Sequence, residues 1–219
     1  MGSLTKHNVQ SLVDQHCLVN YVETGTGEGE CLEYAMRFSF EKLYSVEIYE
    51  PIYEAAKSKF NSLSRIYGRE CEIFHGHSTE QLAHILDDID DDATLFFLDA
   101  HFPGADFKYE AYDAEADEAV RVPLRGELEM IVNARDVSGD VFIIDDLWLY
   151  EEGEYESGTL QAHLDKHFPS MKYTKNSLSG TQTSRFVYDL FSNTHDIIKD
   201  MRDQGYLILV PKRASGETK

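Results

Sequence analysis

The chain has 219 residues, 42% of them hydrophobic, and a net charge of −20 from 20 basic and 40 acidic side chains. That length and apolar content suffice for one domain with a sizeable core, and the negative field repels phosphate backbones and anionic lipid, which excludes nucleic acid and membrane surfaces as expected partners. Cys17, Cys31 and Cys71 show no pairing pattern, and no signal peptide, transit peptide or long apolar span is visible, so a reduced, cytoplasmic protein is expected.

In chain order, Ser11 to Cys17 reads as the end of a leading helix and Leu18–Glu23 as the first strand. Gly25, Gly27 and Gly29 follow on alternate positions, and Gly29–Phe40 reads as helix. Leu43–Ile48 is the second predicted strand. Pro51 suits the first turn of a helix that runs from Ile52 to about Leu63, with Ala55, Ala56 and Phe60 inward. Glu72–His75 is a third strand, Thr79–Leu86 a helix, and Thr94–Asp99 the clearest buried strand. Residues 104–122 break the rhythm. Asp106, Glu110, Asp113, Glu115, Asp117 and Glu118 interleave with Phe107, Tyr109 and Tyr112, which reads as an acidic insertion, either a lid over substrate or a surface loop.

Pro123–Arg135 is a helix with Leu124, Leu128, Ile131 and Val132 on one face. Asp140–Asp146 is a fifth strand, Ser157–Phe168 a helix, and Lys172–Leu178 and Tyr206–Val210 terminal strands. Ser184–Met201 between them leans to helix in its second half. Strands alternating with helices predict a single α/β domain over 1–219. It is Rossmann-like, with a mostly parallel seven-stranded sheet flanked by helices and the acidic insertion after the fourth strand. Such sheets bind ligands beyond the carboxyl ends of their strands.

Those ends carry Glu23, Glu47, His75–Gly76–His77–Ser78, Asp99–Ala100–His101 and Asp145–Asp146. Glu47 lies 24 residues beyond Glu23, the placing of a ribose-hydroxyl acceptor in nucleoside-binding α/β folds. Glu30 stands where the dinucleotide fingerprint needs its third glycine, and Glu28 and Glu30 would repel a pyrophosphate, which disfavours a nicotinamide oxidoreductase. Carboxylates at the ends of adjacent strands can converge on one hard cation such as Mg²⁺. Adjacent strand residues point oppositely, so one of Asp145 and Asp146 equally suits a cap on the following loop.

The pattern Glu23-x-Gly25-x-Gly27-x-Gly29 resembles the first motif of class I S-adenosylmethionine-dependent methyltransferases, and the resemblance extends from about Leu18 to Val210. It implies S-adenosylmethionine as cofactor, held by Glu23, Gly25, Thr26, Gly27 and Gly29, with Glu47 on the ribose. His77 and Ser78 would lie near the adenine, although His77 replaces the acid usual there, and Asp99 would stand beside the transferring methyl. Asp99 followed by Asp145–Asp146 is similar to metal-dependent sugar and small-molecule O-methyltransferases. By that resemblance Asp99, Asp145 and Asp146 hold Mg²⁺, Asp99 or His101 takes the proton, and the acceptor is a small molecule or sugar hydroxyl. The 46 residues from Asp99 to Asp145 are long for that group. A metal-free N-methyltransferase and a non-catalytic nucleoside-binding module are the alternatives, and a homo-oligomer is left open.

Other residues are read as structural. His84, His163, His167 and His195 are expected on helix surfaces, and the His163/His167 spacing lacks a third ligand for zinc. Trp148 and Tyr150 either wall the acceptor pocket or simply pack.

Overall fold

The computed structural model describes residues 3–111, 117–167 and 182–212. Seven strands form one sheet: β1 Asn20–Thr24, β2 Lys42–Glu47, β3 Glu70–His75, β4 Thr94–Leu98, β5 Val141–Ile144, β6 His195–Asp200 and β7 Tyr206–Pro211. Their order is β3-β2-β1-β4-β5-β7-β6. The first five pair in parallel, and β7 runs antiparallel between β5 and β6. The expected mostly parallel seven-stranded sheet is therefore present.

β1, β4 and β5 are buried along their whole length. Their apolar residues alternate between two cores, as successive strand side chains must. Tyr21, Leu95, Phe97, Val141 and Ile143 join one core, beneath helices α1 (Val9–His16), α2 (Glu30–Ala35) and α3 (Glu50–Tyr67). Val22, Phe96, Leu98, Phe142 and Ile144 join the other, beneath α4 (Ser78–Asp88), α6 (Leu124–Ala134), α7 (Leu160–His167) and α8 (Arg185–Phe191). A strand covered on both faces reads as a continuous apolar run, which is why Leu95–Phe96–Phe97–Leu98 was the clearest in the sequence. The remaining helix, α5, is the single turn Glu118–Arg121.

The helices obey their local signals. Pro51 sits in the first turn of α3, which buries Ile52, Ala56 and Phe60 and stops at Gly68, a left-handed residue. By contrast α2 is half the predicted length, Glu30–Ala35 instead of Gly29–Phe40.

The segment 184–201 corrects the sequence reading. Helix α8 occupies its first half, and its second half is strand β6, paired with β7 across a turn that contains Gly205 at φ 87°. His195, expected on a helix surface, is a strand residue 1% exposed. Its ring packs edge-on against Phe142 and Phe191, and its Nε2 lies 3.0 Å from the Asp140 carbonyl. The ladder with β7 decides this, and it is a contact with a strand distant from α8 in the local pattern. The predicted strand Lys172–Leu178 lies outside the described residues. Among the described residues no helix is long and apolar enough to cross a membrane.

Candidate active site

The sheet register carries past the strand ends and aligns the site. Asp99 N donates to the Thr24 carbonyl at 3.1 Å, and Asp145 N to the Leu98 carbonyl at 3.0 Å. The residues that follow β1, β4 and β5 thus lie side by side. Beyond them opens a cavity of about 1060 Å³, counting its mouth, between the glycine turn, the end of β2, His77–Ser78 and residues 99–107.

The glycine turn is a close-packed cradle. Gly25 has φ 82°, and a Cβ there would meet the Asp99 carbonyl oxygen at 2.8 Å. Gly25 N donates to the Val46 carbonyl at 2.9 Å, which holds the turn against β2. Glu47 lines the cavity and clips the turn from the other side. Its Oε2 accepts from Gly27 N at 3.1 Å and its Oε1 from Tyr49 N at 2.8 Å. Burial raises its pKa, against the pull of those amides. Thr26, Gly27 and Gly29 also line the cavity.

Glu23 does not line it. Glu23 shares a face with Tyr21, two residues earlier, and so points under α2 instead of outward. It is 1% exposed and accepts from the Tyr21 hydroxyl at 2.6 Å and the Ser45 hydroxyl at 2.8 Å. Burial pushes its pKa up to about 8. The expected cofactor contact is replaced by a buried brace for the turn.

His77 and Ser78 do reach the cavity. The His77 Nδ1 accepts from Thr79 N at 3.2 Å, so the ring caps α4 in place of the usual small polar residue. Behind Ser78 lies Glu127, 1% exposed, which the sequence reading passed over. Its carboxyl faces the hydroxyls of Ser78 and Thr24, and burial raises its pKa to about 7. The available signal was an acid on the apolar stripe of α6, between Leu124 and Leu128.

Because the folded pKa of Glu127 lies above its reference 4.5, its contribution is fully present below about pH 4.5 and lost as pH rises through about 7. Glu127→Gln is therefore expected to stabilise the fold by about 3 kcal/mol above pH 8 and by almost nothing near pH 4. Urea unfolding at both pH values checks this, and equal effects at the two would contradict it.

At the ends of β4 and β5, Asp99, His101 and Asp146 converge. The His101 Nε2 lies 2.7 Å from Asp146 Oδ2 and 3.3 Å from Asp99 Oδ1, and its Nδ1 lies 3.6 Å from Asp106 Oδ2. Burial by itself would lower the His101 pKa, but Asp146, Asp99 and Asp106 outweigh it and hold the ring protonated. Burial raises Asp99 to about 6, against the pull of His101.

Asp145 takes no part in this cluster. Its Oδ1 accepts from Asp146 N at 2.7 Å, and it is 2% exposed outside the cavity lining. Asp146 adopts a left-handed φ of 52°, which turns its carboxylate away from Asp145 and onto His101. The donor set differs accordingly from the expected Asp99, Asp145 and Asp146. One ligand atom each from Asp99, His101 and Asp146 lies within 4.8 Å of the others. Two carboxylates and an imidazole fit a divalent transition cation such as Mn²⁺ better than Mg²⁺, which prefers oxygen ligands alone.

The first part of the insertion forms the cavity wall. Phe102 N donates to the Arg121 carbonyl at 2.8 Å and closes its base. The Phe107 ring lies on Gly27, where an added Cβ would come within 2.9 Å of it. Tyr109 stacks on Tyr49 with ring centroids 5.2 Å apart. Tyr112, Asp113 and Glu115 lie outside the described residues.

Trp148 and Tyr150 pack in the core and do not line the cavity. His84 is exposed on α4, and the His163 ring lies 5.0 Å from Trp148.

No protein-family model and no curated protein matches the chain. Solved structures do. A candidate caffeoyl-CoA O-methyltransferase from Staphylococcus aureus superposes with a TM-score of 0.61 at 14% identity, covering 97% of this chain and 85% of that one. An O-methyltransferase from Bacillus cereus, solved with S-adenosylhomocysteine, gives 0.53 at 17% identity, covering 93% and 79%. An rRNA methylase from Streptococcus thermophilus gives 0.50 at 12% identity, covering 94% and 95%. At such identities the likeness defines the fold, and the chain has the class I methyltransferase fold. Since these structures include both O-methyltransferases and an RNA methylase, the fold by itself does not select an acceptor.

Proposed function

We propose that the protein is an S-adenosylmethionine-dependent methyltransferase acting on a hydroxyl of a small molecule or sugar, within one domain that includes the insertion as a wall over the site. The observation that carries this reading is the single cavity joining the glycine cradle to the Asp99–His101–Asp146 cluster.

The residues present fit the cofactor. Gly25 packs directly on the Asp99 backbone, and Gly25, Thr26, Gly27 and Gly29 line the cavity, so the turn borders the ligand space. Glu28, Glu30 and Glu47 line the cavity and suit a cationic sulfonium and ammonium, whereas they would repel a pyrophosphate. Gly25, Thr26, Gly27 and Gly29 bind the methionine part, Glu47 takes the ribose hydroxyls, and His77–Ser78 border the adenine. When bound, the cofactor supplies an electrophilic methyl group. The chain must then align the acceptor oxygen, exclude water and accept a proton. Phe107 and the insertion exclude water, and Asp99 stands at the strand end to receive the proton, while His101, already protonated, orients Asp99 and Asp146.

A divalent cation on Asp99, His101 and Asp146 would orient two neighbouring acceptor oxygens and favour the alkoxide. Such binding must displace the His101 proton, so it is expected to strengthen as pH rises. Calorimetry with Mn²⁺ and Mg²⁺ checks the donor set: Asp146→Asn should weaken binding at least about 10-fold and Asp145→Asn far less. Equal loss in both variants would restore the Asp145 assignment. The second reading, a metal-free transferase, is favoured by one observation: protonated His101 already places a cation between Asp99 and Asp146. The free Cys17, Cys31 and Cys71 suit a reducing compartment such as the cytoplasm.

Thermal unfolding with saturating ligand tests the cofactor class. S-adenosylmethionine and S-adenosylhomocysteine are expected to raise Tm by about 5 °C or more at 100-fold excess over Kd, and NAD to leave it unchanged. No shift with either sulfur nucleoside would overturn the reading. A shift without turnover of any acceptor would leave a nucleoside-binding module.

A further inference from the structure

The cavity runs along the rim of the sheet from β3 to β5. His77 follows β3, Glu47 ends β2, the glycine turn follows β1, and Asp99 and Asp146 follow β4 and β5. Gly76 N donates to the Glu47 carbonyl at 3.0 Å, which sets His77 beside Glu47. A nucleoside whose ribose lies on Glu47 and whose methyl lies at Asp99 therefore carries its base toward His77, on the side away from Asp99.

Two polar side chains border the cavity there, and they are not equivalent. The Ser78 hydroxyl is buried and faces Glu127, so it is turned from the ligand space. The half-buried His77 ring is held through one nitrogen. Its Nδ1 lies 3.2 Å from Thr79 N and 2.7 Å from the Thr79 hydroxyl. An amide N–H can only donate, so Nδ1 accepts and carries no hydrogen. The N–H of the ring is then at Nε2. The cap on α4 thus fixes the tautomer, and it leaves a donor on the other edge of a ring that lines the cavity.

Adenine offers both kinds of group: an exocyclic amine that donates, and ring nitrogens that accept. An acid at position 77 would accept from the amine. The Nε2–H of His77 cannot, and it complements a ring nitrogen instead. We infer that His77 is a specificity-determining residue that donates through Nε2 to a ring nitrogen of adenine, so that the base is read there by an acceptor and not by its amine. This deepens the methyl-transfer reading and rests on it.

Calorimetry of the full chain with analogues of S-adenosylhomocysteine tests it. The 1-deaza, 3-deaza and 7-deaza compounds each replace one ring nitrogen by C–H, and the 6-deamino compound lacks the amine. One deaza analogue is expected to bind at least about 10-fold more weakly than the parent, since it leaves Nε2–H without an acceptor, and the deamino analogue within about 3-fold of it. His77→Ser keeps a side-chain cap on α4 and removes the donor, so there the sensitive deaza analogue and the parent should bind within about 2-fold of each other. Three results would each overturn the inference: no deaza penalty in the wild type, a penalty that persists in His77→Ser, or a deamino penalty larger than every deaza one. Failure of S-adenosylhomocysteine itself to bind the wild type would instead bring down the methyl-transfer reading, and this inference with it.

Discussion

Gly25→Ala is expected to weaken S-adenosylhomocysteine binding at least about 100-fold and to lower Tm by about 10 °C. Two costs combine. A left-handed residue with a Cβ costs about 1–2 kcal/mol, and Gly25 has φ 82°. The new methyl would also meet the Asp99 carbonyl oxygen at 2.8 Å and its carbon at 3.0 Å. Those are backbone atoms of the neighbouring strand end, so the clash cannot be relieved by rotating a side chain. Overpacking of this kind adds about 1–3 kcal/mol. Relief requires β1 and β4 to part at their carboxyl ends, which moves the cradle and Asp99 together. Gly68→Ala is the control. It also has a positive φ, 62°, but nothing lies within 4 Å of its added Cβ, so only the conformational cost applies and affinity should be unchanged. Calorimetry and thermal unfolding of both variants check the pair. Wild-type affinity in Gly25→Ala would remove the cradle from the binding site.

His101→Ala is expected to lower the methyl-transfer rate by about 10²–10⁴-fold while the Kd for S-adenosylhomocysteine stays within about 3-fold. His101 touches Asp146 and Asp99, and its other nitrogen faces Asp106. Its removal deletes a cation that touches Asp99 and Asp146 and faces Asp106, and with it the group that orients those carboxylates. The carboxylates left behind repel one another, so at least one of them takes up a proton near neutral pH. The cradle, clipped by Glu47 to Gly27 and Tyr49, has no contact with the ring and keeps its shape. Single-turnover kinetics with an identified acceptor separates the two quantities. A rate within 3-fold of wild type would show that His101 neither orients the carboxylates nor serves as a ligand.

Much of the fold was legible because its signals are local. The continuous apolar run Leu95–Leu98 and the stripe Leu124, Leu128 and Ile131 are chain-local patterns, and they appear as β4 and α6. The hairpin of β6 and β7 was not legible, because β6 carries polar residues at four of its six positions and its identity rests on pairing with β7. His195 illustrates the consequence: a polar residue in a polar stretch, buried only because Phe142 and Phe191 close around it. Glu127 was overlooked for the converse reason, since an acid on a helix is read as surface until a neighbouring element covers it.

By itself the sequence determined that a strand runs into a glycine turn, that an acid follows at the next strand end, and that Asp99, His101 and an acidic pair collect on one rim. These follow from chain-local geometry: left-handed turns favour glycine, and parallel strands put all their carboxyl ends on one side. Only the tertiary structure decided which way each acid points. Glu23 turns inward because it shares a face with Tyr21, and Ser45 of the next strand satisfies it. Asp145 spends its carboxylate on a backbone amide, while the left-handed Asp146 swings onto His101. The direction of a side chain at a strand end depends on one dihedral angle and on the register of its neighbours, and neither is written in residue spacing.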